Sequence, residues 1–180
     1  VPGTTMIVLD EAYGEFAPPN TLPAFDMDRP NLLRMRTFSK AYGLAGARVG
    51  YVLGEARNIS AFNRIRNHFG ISNVAQAAGI AALADTAYLQ RSLAAVRHAL
   101  EDTAAIATRH GLLPLPTATN FVAVDCGRDG RYAQAILDGL AARGVFVRKP
   151  VVTGLNRCIR ISAGTDADRA LLDQALGEVL

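Results

Sequence analysis

Cysteine is scarce. The chain has two, Cys126 and Cys158, far apart and without a C-x-x-C or His-rich neighbourhood. They build no disulfide framework and no zinc site; they point to a reducing compartment, taken as the cytoplasm, and no metal is expected. No stretch reaches the ~18 apolar residues a membrane helix needs. Lys and Arg are scattered singly and exceed Asp and Glu by 19 − 16 = 3. Without a basic run, nucleic acid and membrane surfaces are not the expected partners. Half the residues are hydrophobic and 19% charged, which excludes a disordered chain. The sequence opens on Val1-Pro2-Gly3, without Met or a charged-then-apolar leader, and enters a strand almost at once. It reads as cut from something longer.

What is present is an alternation of strands and helices. Met6-Ile7-Val8-Leu9, closed by Asp10-Glu11, fits a strand buried on both faces of a parallel sheet. Four prolines make 14–30 an irregular loop. Strands follow at 31–38 and 48–53, joined by a glycine-containing turn. Helices are predicted at 55–69, with Ile59, Phe62, Ile65 and Phe69 as the apolar stripe, and at 72–84, capped by Ser72. The second is rich in Ala and so packs closely on something. A long helix at 86–110 ends at Gly111. Beyond Pro114 and Pro116 come a strand at 120–125, a helix at 130–143, short strands at 145–148 and 158–162, and a last helix opened by Thr165. A boundary near residue 85 is expected to separate 1–85, with polar residues at strand ends, from a compact α+β unit at 86–180.

Three features within fifty residues carry chemistry. Asp10-Glu11-Ala12-Tyr13 closes the first strand, and ligands of open α/β sheets bind beyond such ends. Thr37-Phe38-Ser39-Lys40 closes the second. Gly43-Leu44-Ala45-Gly46-Ala47-Arg48 leads into the third. Singly each is weak, because a strand-terminal Asp is often a cap and a turn Lys is often a solvated surface residue.

In combination, D-E-A-Y followed by T-F-S-K-A-Y-G-L-A-G-x-R-V-G-Y resembles the fold-type I aminotransferases that use pyridoxal phosphate (PLP), above all their histidinol-phosphate branch. N-F-V-A-V-D, G-V-F-V-R and R-I-S-A-G-T resemble that branch too. The resemblance implies an α/β fold, here its C-terminal half: the end of a large, mostly parallel-sheet domain, then a small α+β domain. It implies that Lys40 forms the Schiff base with the cofactor aldehyde as a neutral amine and later moves the proton between substrate and cofactor. Asp10 would pair with the pyridinium nitrogen and Tyr13 with the phenolic oxygen. Thr37, Ser39 and Arg48 would hold the phosphate, with Arg48 eight residues after Lys40 as in the family. Arg160 would grip the substrate carboxylate, and Arg148 would help bind anionic groups of the substrate.

The implied reaction is transamination between an amino donor resembling histidinol phosphate and 2-oxoglutarate, in a homodimer. Two other readings stay open: a PLP-dependent decarboxylase of a phosphorylated amino acid, and a PLP-binding regulatory domain. The clearest departure is Asn67-His68, where the branch has a P-[FY]-N-x-[NS]-like segment. His98 and His110 are expected to be solvated, and the cysteines to be small core residues. The family's phosphate loop, ring-stacking aromatic and early strands do not occur in these residues.

Overall fold

A computed structural model describes residues 4–24, 26 and 28–180. The opening Val1-Pro2-Gly3, and two positions of the proline loop, lie outside the described residues. The chain forms two compact units, Val1–Leu93 and Ala94–Leu180, divided inside a helix.

The first unit is built on three strands, β1 (Ile7–Asp10), β2 (Leu32–Thr37) and β3 (Gly50–Gly54), in that order. β1 runs parallel to β2, pairing Asp10 with Met35; β3 runs antiparallel, pairing Gly50 with Thr37. Two 3-10 turns, Gly14–Phe16 and Ala45–Ala47, interrupt the loops, the first inside the stretch expected to be irregular. Helices α1 (Ala56–Ile65) and α2 (Asn73–Ala84) follow, then α3 (Thr86–Arg109).

Two expectations change here. β1 is not buried on both faces: Val8 is 56% exposed. Among the described residues it has a paired strand on one side only, and its burial alternates along the strand. Helix α1 ends at Ile65, short of 69. Arg66 is extended, and the Asn67 side chain accepts a hydrogen bond from Phe69 N at 3.0 Å. That local bond competes with the helical one, and Phe69 leaves the stripe for solvent. Helix α2 matches its prediction, with Ser72 Oγ accepting from Ala75 N.

The second unit is an antiparallel sheet, β4 (Leu113–Pro114), β5 (Phe121–Asp125) and β6 (Cys158–Ser162), with α4 (Gly130–Ala142) and α5 (Asp166–Val179). β4 is too short for a periodicity signal; its Pro114 is tolerated at a sheet edge. Val122 and Val124 of β5, and Ile159 and Ile161 of β6, point into the core with Ile136, Leu140 and Leu176. Both cysteines are buried, and burial pushes the Cys126 thiol up to about 11. The expected strand at 145–148 is a single bridge, Arg148 to Arg160. Gly144 turns the chain at φ +78 just before it, and Pro150 has no N–H to extend a ladder. Helix α4 is capped by Asp129, and α5 by a reciprocal Thr165–Asp168 capping box. His110 is not simply solvated: its Nε2 lies 2.7 Å from Asp173 Oδ1.

Leu140 is fully buried, whereas Leu171 is 44% exposed. Leu140→Ala should cost about 2–5 kcal/mol, and Leu171→Ala less than about 1 kcal/mol. Urea unfolding followed by circular dichroism checks both; equal costs would contradict this core.

Candidate active site

Strand directions gather the first unit's candidates at one sheet edge. The parallel strands β1 and β2 end there, and the antiparallel β3 begins there. Asp10 therefore sits near the chain that carries Thr37, Ser39 and Lys40. Phe38 N donates to Val49 O, which draws Arg48 to the same edge.

Each side chain is held locally. Asp10 Oδ1 accepts from Ala12 N at 2.9 Å, which tightens the turn toward Tyr13. Tyr13 caps the first 3-10 turn with its backbone, and Lys40 Nζ lies 5.2 Å from the centre of its ring. Thr37 Oγ1 accepts from Ser39 N at 3.1 Å. Arg48 adopts φ +52, ψ +45, and its guanidinium donates to Ala45 O at 2.9 Å. A left-handed arginine is uncommon, and such strain concentrates at functional sites. The donor set of two hydroxyls, a guanidinium and an ammonium suits a phosphate-bearing ligand, and the exposed Asp10 carboxylate suits a cationic ring nitrogen. These residues fit PLP.

Sequence reasoning missed the ion pairs behind this edge. The Glu11 carboxylate is fully buried. Its Oε1 accepts from Arg34 Nε at 2.7 Å, with Arg34 Nη2 at 2.5 Å, and its Oε2 accepts from Arg36 Nε at 2.6 Å. Arg36 Nη1 donates in turn to Glu15 Oε1 at 2.9 Å. Burial alone would raise the Glu11 pKa, but hydrogen bonds and charge from both arginines outweigh it and hold the carboxyl below its ordinary value. Arg34 and Arg36, two apart on one strand, share a face; an R-x-R on the strand that follows D-E was the available signal.

In the second unit, Arg160 faces away from the core because its strand neighbours face inward. Its register partner is Ala123, and its guanidinium stacks on the Phe121 ring at 4.5 Å. Arg160 Nε is buried without a hydrogen-bond partner among the described residues. Arg148, exposed, exchanges two backbone hydrogen bonds with Arg160. His68 and His98 are exposed, and no metal-binding cluster of His, Cys, Asp or Glu occurs among the described residues. Nor, among those residues, is any helix long and apolar enough to cross a membrane.

Comparison with known proteins adds three relationships. The family model described as "Aminotransferase class I and II" matches residues 4–179. Histidinol-phosphate aminotransferase 2 of Ralstonia nicotianae is 40% identical over all of this chain and 49% of its own length. A crystal structure of histidinol-phosphate aminotransferase from Sinorhizobium meliloti in complex with pyridoxal-5'-phosphate superposes with a TM-score of 0.96 at 54% identity, over 99% of this chain and 50% of that one. The chain thus spans about half the length of the curated relatives it matches.

The Glu11 ion pairs set a pH dependence. The folded pKa lies below the ordinary 4.5, so the stabilisation is complete above 4.5 and is lost as pH falls through the folded value. The stability gap between the parent and Glu11→Gln should stay constant from about pH 7 to 5 and shrink at more acidic pH. Urea titrations across that range measure it; a gap independent of pH would contradict the assignment.

Proposed function

The chain belongs to the class I and II aminotransferases, and on that premise we propose that its protein is a PLP-dependent aminotransferase acting on an amino donor that resembles histidinol phosphate, with 2-oxoglutarate as acceptor. The observation that carries this is the grouping of Lys40 with Tyr13, Asp10, Thr37 and Ser39 at one sheet edge, with Lys40 Nζ 5.2 Å from the Tyr13 ring centre. Support for the donor class comes from relatives at 40% and 54% identity that carry the histidinol-phosphate name. No observation here favours decarboxylation or a regulatory role over transamination.

When bound, PLP supplies an electron-accepting ring that stabilises negative charge at the substrate Cα. The protein's residues do the rest. Lys40 anchors the cofactor through its amine and, once free, moves a proton at Nζ. Asp10 holds a proton on the ring nitrogen by its adjacent negative charge. Tyr13 donates to the phenolic oxygen. The hydroxyls of Thr37 and Ser39 and the fork of Arg48 would hold the phosphate. Arg160, held over the Phe121 ring, presents a planar donor pair to a carboxylate, and Arg148 adds positive charge for a further anionic group. A homodimer in the cytoplasm completes the proposal.

Borohydride reduction of the full-length protein after incubation with PLP should leave one phosphopyridoxyl group on Lys40, mapped by peptide mass spectrometry. Lys40→Ala should lose that adduct and turn over more slowly by about 10²–10⁴-fold. Arg160→Ala should raise the donor KM by roughly 10–100-fold with a smaller change in kcat. Normal turnover by Lys40→Ala would end this reading, and release of carbon dioxide from the donor would exclude simple transamination.

A further inference from the structure

We propose that Glu11 is a positioning residue, whose carboxylate, clamped by Arg34 and Arg36, fixes the turn that carries Asp10 and Tyr13 against the strand end that carries Thr37, Ser39 and Lys40. The inference rests on the aminotransferase reading and deepens it by naming what sets the geometry of that site.

The connections are direct. Glu11 follows Asp10 and lies two residues before Tyr13, so any movement of its Cα moves both. Its backbone is tied twice: its N–H donates to Met35 O at 2.9 Å, and its carbonyl accepts from Gly14 N at 2.8 Å. Its side chain is tied to the next strand by three donor atoms, all within 2.7 Å. Arg36 immediately precedes Thr37, the first residue of the T-F-S-K segment. The same guanidinium reaches Glu15 on the turn beyond Tyr13, so Tyr13 is bracketed by two carboxylates on one arginine. Little free volume surrounds this joint, since a Cβ at Gly14 would meet the Arg36 guanidinium at 3.4 Å.

The β1–β2 ladder holds Asp10 against Met35, but Tyr13 and Lys40 lie beyond it on separate loops, and the Glu11 ion pairs are what tie those loops together. A neutral, shape-matched apolar joint could give equal stability, but it would not fix orientation as charged fork-to-carboxylate bonds do. Glu11 touches neither cofactor nor substrate in this role; it acts through Asp10, Tyr13 and Lys40.

The test compares Glu11→Gln and Glu11→Asp with the parent in the full-length protein, using PLP itself as probe. Glu11→Gln keeps the shape and removes the charge. It should bind PLP roughly tenfold more weakly, lower kcat by on the order of 10–10²-fold and leave the donor KM within about twofold. The pH midpoint of the Lys40-bound cofactor absorbance should move, because Asp10 and Tyr13 set that absorbance. Glu11→Asp, which keeps the charge, should recover part of each change. If Glu11→Gln does not fold, Arg36→Lys gives the same readings, since it keeps a cation but cannot bridge both carboxylates. A folded variant with a lower melting temperature, yet parental PLP affinity, kcat and pH midpoint, would reduce the network to a structural brace and overturn the proposal. Failure of the parent to take up PLP at Lys40 would instead sink the aminotransferase reading, a separately visible result.

Discussion

A carboxylate with no exposed surface has to be neutralised where it sits, and in this protein that obligation falls on Glu11. Leaving the charge unpaired would be prohibitive, so β2 must present two guanidiniums on the sheet face from which they reach Glu11. Residues two apart on a strand meet that demand, which is why Arg34 and Arg36 alternate with Leu33, Met35 and Thr37. Once β2 is so placed, its end and that of β1 lie side by side, and the polar residues just beyond them share one edge. The second carboxylate on Arg36, Glu15, carries the constraint into the following turn. It also adds to the effect of burial in raising the phenol pKa values of Tyr42 and Tyr51, the first cause being burial in both.

The second unit solves a simpler problem. In its sheet the branched residues Val122, Val124, Ile159 and Ile161 are buried in the core, with Arg160 facing away. Exposure of a strand arginine is ordinary; stacking on Phe121 with a buried, unpartnered Nε is not. The ring leaves the guanidinium partly dehydrated, which strengthens any charge-assisted bond it makes to an incoming anion.

Much of this was legible in the sequence, for definable reasons. Helices with clear end signals, such as α2, α3 and α5, follow from Ser72, Gly111 and Thr165. Strands with a branched alternating core, such as β5 and β6, follow from Val122, Val124, Ile159 and Ile161. The motif residues Asp10, Tyr13, Thr37, Ser39, Lys40 and Arg48 could be marked from their order, and register accounts for their shared edge. What escaped depended on contacts distant in sequence. Glu11 lies 23 residues from Arg34, and a charge inside D-E-A-Y reads as solvated until its partners are known. The end of α1 at Ile65 depended on one side-chain bond from Asn67, and the lost strand at 145–148 on the turn at Gly144 and the proline at 150.

The Ala-rich character of α2 shows how far one anchor governs the segment that carries Lys40. Phe38 is nearly fully buried, with the Tyr42 and Tyr51 rings at 5.1 and 5.5 Å. On α2, Gly79 presents no side chain to it, and a Cβ there would meet the Phe38 ring at 3.4 Å. The close packing expected of that helix is therefore packing on Phe38. Backbone bonds complete the hold, since Phe38 N donates to Val49 O and its carbonyl accepts from Leu44 N. Between these ties, Ser39 and Lys40 lie outside regular secondary structure and only partly buried. The role proposed for Lys40, to hold a cofactor and later move a proton, needs a fixed Cα and a free side chain. Burying the neighbouring phenylalanine supplies the first without restricting the second.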